Sequence, residues 1–317
     1  MYLLRTGWLS LLCFYGEKSM RNKTTISIAY LMIGLLLSQV AVAKALRSPV
    51  QTGNEIIIAK GDILTPEKYQ KITTQYMDYT VKNIHNAIEQ LNHLKQSLKN
   101  NDVRVAQMAY IQAHQYYETV RPIVIIFGHT DRIINSRSND FLAGVKDYRF
   151  KGFHLVEYLL FDQQNNQATL NAVDELLMNL NDVKRRVETE QVDIVKLIQS
   201  SADFLEMILE TKLAGKENIY SDSDLTDIAA NVKGSQYIID DIIPFLPHST
   251  SAPIMKNFNK ITEILDNYKI KTNEYKPYDD LSDKDKAALF SVLTQQAYLL
   301  ATLRATLNLD VYYKYQY

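Results

Sequence analysis

The sequence is short of the residues that staple or interrupt a chain. It has one cysteine, Cys13, so the folded part has neither a disulfide framework nor a cysteine-based zinc site. Ten glycines and seven prolines in 317 residues leave long stretches without a breaker, and such stretches favour helices. No segment reads as a β-strand, no solenoid period is present, and there is no low-complexity tract. The net charge of -1 argues against a nucleic-acid partner, and a hydrophobic content of 46% argues against disorder. The pattern H-E-x-x-H, which sets two zinc-binding imidazoles and a general base on one helix, is missing.

What is present begins with an export pattern. Residues 1–19 are apolar and aromatic with scattered charge. Met20-Arg21-Asn22-Lys23 then opens an uncharged run from Thr24 to Ala43 that closes on Ala41-Val42-Ala43. A basic start, an apolar middle and a small-x-small end predict a secretory signal peptide over 20–43, with residues 1–19 an upstream over-call of the gene start. Cleavage after Ala43 or Ala45 would leave a periplasmic mature protein that does not span the membrane. Twenty uncharged residues also just suffice to cross a bilayer, so a retained anchor is the alternative. No cysteine stands at the cleavage point to carry a lipid.

Residues 44–63 read as a flexible lead-in to a helical domain over 64–317. Thr65-Pro66-Glu67 offers a hydroxyl cap, a proline at the first helical position and an acid in the first turn, which predicts a helix to about Lys99. Asp102 caps a second helix, with Ala106, Ala109, Tyr110, Ala113, Tyr117, Val120 and Val124 at helical spacing, ending near Phe127-Gly128. A polar loop over 129–149 follows. Further helices are predicted over about 168–189, 191–214, 224–245, 253–271 and 282–308, the last capped by Ser282. Antiparallel bundle packing is the natural way to bury these faces, so the expected class is all-α.

The organising stretch is Lys151-Gly152-Phe153-His154-Leu155-Val156-Glu157-Tyr158-Leu159-Leu160. Its apolar residues are too dense for a surface helix, yet His154 and Glu157 stand three apart and so share a face. An imidazole and a carboxylate suit Fe(II), Mn(II) or Zn(II). They equally suit a hydrogen-bonded structural couple. His114 and Glu118 form a second pair, at i and i+4, read as a hydrogen bond rather than an extra ligand. His85, Glu89 and His93 form a row on the first helix, read as a solvated face. Tyr158 and Tyr220 are candidates to line a site.

Several blocks carry a resemblance. They are Tyr117-Glu118-x-x-x-Pro122, Phe127-Gly128-x-x-Asp131, Gly152-Phe153-His154-x-x-Glu157, Gly215-Lys216-Glu217-Asn218-x-Tyr220-Ser221-x-x-Asp224-Leu225, and Asp227-x-x-Ala230-Asn231-Val232-x-Gly234-x-Gln236. In this order, and with a tail of Tyr278-Asp279-x-Leu281-Ser282-Asp283-x-Asp285, the chain resembles the EfeO/EfeM and imelysin-like group of secreted helical proteins, whose signature is GxHxxE. The resemblance implies two helix-bundle halves with a cleft between them, in the short form without a cupredoxin domain. It implies a periplasmic role in iron uptake beside a high-affinity iron permease and a haem-type peroxidase. Metal-ligand positions carry over at Glu118, His154, Glu157 and Glu217, for a divalent metal and iron above all.

Two positions depart from the group's pattern: Arg121 stands where relatives have Glu, and Asn135 where they have Asp. Arg121 lies at i+3 from Glu118, where its fork of donors meets that carboxylate and its charge opposes a metal. The resemblance leaves two further readings open beside a metal carrier. One is a binder of anionic polysaccharide, for which Arg121 would suit a carboxylated sugar. The other is an imelysin-type metallopeptidase, which the single His of GxHxxE disfavours. The expected role is binding, not catalysis.

Overall fold

Helix α1, Glu67–Lys99, opens a computed structural model that describes residues 65–127 and 129–309. The expected signal peptide, the over-called start and the lead-in lie outside these residues. At 33 residues α1 is about 50 Å long, enough to serve two hydrophobic cores. Its first turns give Tyr69, Ile72 and Tyr76 to one core, and Ile84 to Leu98 go to the other. The expected hydroxyl cap is not made. Thr65 Oγ1 accepts instead from Ile194 N at 3.1 Å, tying the start of α1 to a helix far along the chain.

Asn100-Asn101-Asp102 reverses the chain, with Asn101 at φ 58. Asp102 caps α2, Val103–Ile126, by accepting from Val105 N. α2 packs on α1 and completes the second core with α4 (Phe153–Glu157) and α5 (Asn166–Thr189). The first core is built from α6 (Ile194–Met207), α7 (Asp224–Ile242), α8 (His248–Asp266) and α9 (Asp283–Ala301). Ser282 caps α9 as expected, accepting from Asp285 N at 3.1 Å. The class is all-α, as predicted.

Three local departures from the sequence reading have physical causes. The polar loop after α2 contains a short helix α3, His129–Asn135, before two single 3₁₀ turns. The helix expected over 253–271 starts at His248 and ends at Asp266. Lys269–Lys271 then pairs antiparallel with Glu274–Tyr275 around Asn273 at φ 60, a hairpin too short and polar for a period-two signal. Two turns widen into π-helix, Tyr158–Asp162 after α4 and Ile208–Lys212 after α6. In each the hydrogen bond runs to the fifth residue, Gln163 N to Tyr158 O and Leu213 N to Ile208 O.

Candidate functional site

Pro122 sits inside α2 and has no N–H, so the carbonyl of Glu118 four residues earlier loses its helical partner. Asn231 of α7 supplies one: its Nδ2 donates to Glu118 O at 2.8 Å. The same amide nitrogen lies 2.8 Å from Glu118 Oε2. The two helices come this close because Gly234 lies on the contact. A Cβ there would stand 2.0 Å from Thr119 O. Gly152 acts alike at the start of α4. It takes φ 77, and a Cβ would meet Ile134 O at 2.0 Å. That close approach sets the start of α4, and with it His154, against the end of α3.

The four expected ligand residues come together in one seam between elements of the two cores, each no more than 3% exposed. Glu118 and Glu217, ninety-nine residues apart in the chain, are joined by two cations. Arg121 Nη1 donates to Glu217 Oε1 at 2.7 Å and to Glu118 Oε1 at 3.1 Å. Lys212 Nζ lies 2.7 Å from Glu217 Oε2 and 3.1 Å from Glu118 Oε2, charge contacts rather than aligned hydrogen bonds. The rest of the guanidinium faces Asp131, with Nε to Oδ1 at 2.9 Å. Asn135 Nδ2 donates to Glu118 Oε1 at 2.8 Å, and Thr211 Oγ1 donates to Glu217 Oε2 at 2.7 Å. The expected Arg121–Glu118 pair is therefore present, within a larger lattice than the sequence suggested.

The electrostatics follow from this arrangement. Burial alone would raise the Glu118 carboxyl, but Lys212, Arg121 and His114 outweigh it and hold it well below the usual carboxylate range. Glu217 is lowered in the same way, against burial, by Lys212 and Arg121. Burial would also strip the proton from Lys212, yet Glu118 and Glu217 raise it above its ordinary value. All four groups are thus charged together, as buried ions must be when their partners are in contact.

His154 and Glu157 divide the labour differently from a pair of ligands. His154 Nδ1 lies 3.0 Å from Glu157 Oε2. Glu157 Oε1 accepts from Tyr220 N, Ser221 N and Ser221 Oγ at 2.8 to 3.1 Å. Glu157 therefore orients the imidazole and ties it to the 220–221 loop. His154 Nε2 is buried without a partner among the described residues, 3.9 Å from Glu217 Oε1. Tyr158 and Tyr220 pack against each other, half-buried, at 5.3 Å between ring centres.

His114 belongs to the seam as well. Its Nε2 meets Asn135 Oδ1 at 2.9 Å, and its Nδ1 lies 2.9 Å from Asp227 Oδ2. Burial would lower its pKa, but Asp227 and Glu118 raise it well above the ordinary value, so both nitrogens carry protons. It is a cation in the lattice, in keeping with the structural reading of the His114–Glu118 pair. The row His85, Glu89 and His93 is exposed.

Among the described residues, no group of three or more His, Cys, Asp or Glu side chains is arranged to hold a metal ion. The cause is visible in the seam, where the oxygens that would coordinate one already face Arg121, Lys212, Asn135, Asn231 and Thr211. Lys212 was absent from the sequence reading. A lysine at a helix end is ordinarily a solvated cation complementing the helix dipole. The π turn over 208–212 shifts the helical phase and turns this one inward, and no residue-type signal marks it.

Comparisons with known proteins agree with this architecture. The chain is 30% identical over 297 residues, 93% of its length and 98% of the relative's, to the iron uptake system component EfeM of Pseudomonas syringae pv. syringae. It is 31% identical over 240 residues to the iron uptake system component EfeO of Shigella boydii serotype 4, and 30% identical over 240 residues to that of Escherichia coli K12. Each EfeO match covers 75% of this chain but 64% of the relative, so the chain spans less than two thirds of those proteins. Residues 72–303 match the model of the peptidase M75 family, imelysin, and with nearly three quarters of its length inside that match the chain belongs to the imelysin family.

Proposed function

We propose that this protein is the binding component of an iron uptake system, exported to the periplasm, where it carries iron or another divalent metal as cargo to an iron permease, with a haem-type peroxidase as a further partner. One observation carries the reading. Glu118, His154 and Glu217, from three distant stretches, converge on one buried seam in a chain related along nearly its whole length to an iron uptake component.

As arranged, the seam does not fit a bare cation. Glu118 and Glu217 are already neutralised by Arg121 and Lys212, so metal binding here is weak in the unaltered protein. Peptide hydrolysis gains no support from this donor set, because the same two cations hold the carboxylates that would have to ligate a metal or serve as the base. The polysaccharide reading loses its anchor, since the Arg121 donors are spent on Glu118, Glu217 and Asp131.

Calorimetric titration of metal-free protein with Fe(II), Zn(II) and acidic oligosaccharides tests the proposal. Weak but saturable metal binding and no sugar binding are expected. Tight binding of the oligosaccharide with no response to metal would transfer the assignment to a polysaccharide binder.

A further inference from the structure

We infer that Lys212 decides whether this seam takes a divalent cation: its ammonium, together with the Arg121 guanidinium, stands as a tethered counter-ion on the carboxylate oxygens that a metal would bind. The inference rests on the proposed function only for the identity of the cargo.

Glu118 and Glu217 have four carboxylate oxygens between them. Arg121 Nη1 takes the two Oε1 atoms, and Lys212 Nζ takes the two Oε2 atoms. A cation bridging the two carboxylates needs the same lone pairs, so metal and side-chain cations exclude one another. Of the two, Arg121 is held from outside the square by Asp131, which is itself fixed by Tyr117 Oη at 2.7 Å. Lys212 has no such outer anchor among the described residues. Its ion pairs are those to Glu118 and Glu217, and it ends the π turn. It is the cation whose loss leaves the rest of the seam tied.

Removing that charge leaves Glu118 and Glu217 with Arg121, which Asp131 also claims, and with His114, which Asp227 also claims. Such an excess of acid is costly in a low-dielectric interior unless another positive charge enters. A further donor stands close by. His154 Nε2 is buried, unpartnered and 3.9 Å from Glu217 Oε1, while Glu157 fixes the ring through Nδ1. Two carboxylates and an imidazole make a donor set suited to Mn(II), Fe(II) or Zn(II). The unaltered protein, by contrast, needs no metal to balance the seam.

The test uses the full chain and MnCl₂ as the probe, with the wild type, Lys212→Met, Lys212→Arg, and the double variant Lys212→Met with Glu217→Gln. Melting is followed in chelator and with Mn(II), and binding by calorimetry. The wild type and Lys212→Arg, which bind metal weakly, should shift far less with metal than Lys212→Met. Lys212→Met should melt lower in chelator, recover with Mn(II), and bind it roughly tenfold or more tighter than the wild type, the scale on which one charge at contact distance changes a carboxylate's cation affinity. The double variant, with one cation and one acid removed together, should lose that response.

Equal Mn(II) affinity in the wild type and Lys212→Met overturns the inference, as does a double variant that binds as tightly as the single one. Should Lys212→Met not fold without metal, the yield on refolding with and without Mn(II) reads the same question, and equal yields overturn it. Failure of the uptake reading looks different. A wild type that binds no Fe(II) anywhere, with Lys212→Met gaining Mn(II) as expected, removes the cargo and leaves the role of Lys212 intact.

Discussion

Two histidine–glutamate pairs lie side by side in the seam, their imidazoles 5.4 Å apart between ring centres, and they do opposite things. His114 is surrounded by acceptors and acids. Asn135 holds Nε2, Asp227 faces Nδ1 at 2.9 Å as a charge contact rather than an aligned hydrogen bond, and with Glu118 beside them the ring is a fixed cation. His154 has one acid, Glu157, on Nδ1 and, among the described residues, no hydrogen-bond partner on Nε2. The residue types are the same and the spacings, four and three, nearly so. What differs is what the facing elements bring: α7 delivers Asp227 to His114 at 2.9 Å, while among the described residues the acid nearest the free nitrogen of His154 is Glu217, at 3.9 Å. A His–Glu pair on a helix therefore does not define its own chemistry; the opposing element does. The His114 end is closed and structural, and the His154 end keeps one donor unspent.

The largest expected effect comes from breaking the closed end at its centre. Glu118→Gln removes the charge shared by Arg121, Lys212 and His114 and leaves them facing one fewer acid. The cost should be about 3–5 kcal/mol, as for one partner lost from a buried pair, read by urea unfolding. Glu157→Gln, at the other end, should cost less, about 1–3 kcal/mol. Acid has the same effect as the first substitution. Glu118 and Glu217 are held below their ordinary 4.5, so the stability they contribute is complete above that pH and is lost as pH falls through their folded values. Acid unfolding that sets in no lower for the wild type than for Glu118→Gln would contradict the lattice.

Much of this was legible in the sequence. Asp102 and Ser282 announce helix starts because their side chains are free to accept from the first turn. The convergence of Glu118, His154, Glu157 and Glu217, and the Arg121 pair, followed from the motif blocks and from i+3 geometry. The remainder depended on tertiary partners. The Thr65 and Ser221 hydroxyls look like caps but are spent on Ile194 N and on Glu157. Lys212 looks like a surface cation until a π turn rotates it. Asn231 reads as one polar residue on α7, and only the missing N–H of Pro122 explains its position. A local pattern gives the residue's options, and the packed neighbour selects among them.

His114→Phe sharpens the comparison next. A phenyl ring fits beside Phe153 and Tyr110, which already flank the imidazole, but it takes the positive charge from beside Asp227, leaving it the Asn218 amide, and strands Asn135 Oδ1. A loss of about 2–4 kcal/mol is expected at neutral pH, measured by thermal and chemical unfolding. A change below 1 kcal/mol would mean that His114 is a spacer and not a cation of the lattice.

Asp224→Asn probes a smaller term beside the same end. Burial, with Asp227 and Glu217 nearby, pushes the Asp224 carboxyl up to about 8 against the pull of Lys212. Between its ordinary 3.8 and about 8 the folded protein keeps a proton that the unfolded chain has lost. Stability from this group therefore falls as pH rises across that range and levels off above it. The amide is the neutral form made permanent and still accepts from Asn218 N. It should match the wild type at pH near 4 and exceed it by roughly 1–2 kcal/mol at pH 8 or above. A gain that does not grow with pH would show that Asp224 is ionised in the folded seam.

The smallest effect is expected at the open end. His154 Nε2 makes no bond, so His154→Phe removes an unsatisfied buried nitrogen as well as the Nδ1 contact to Glu157. Glu157 keeps its three donors from Tyr220 and Ser221, and the 220–221 loop keeps its tie. Gain and loss nearly cancel, and the change should stay within about 1 kcal/mol, in contrast to the same substitution at His114. Metal should tell the two ends apart in the other direction. In the Lys212→Met background, where a cation has carboxylates to bind, His154→Phe should weaken Mn(II) binding by removing its nitrogen donor. His114→Phe removes a neighbouring positive charge and should not weaken it through loss of a ligand. If His154→Phe instead unfolds the protein as severely as His114→Phe, both imidazoles are structural. The distinction between a closed end and an open one would then fail.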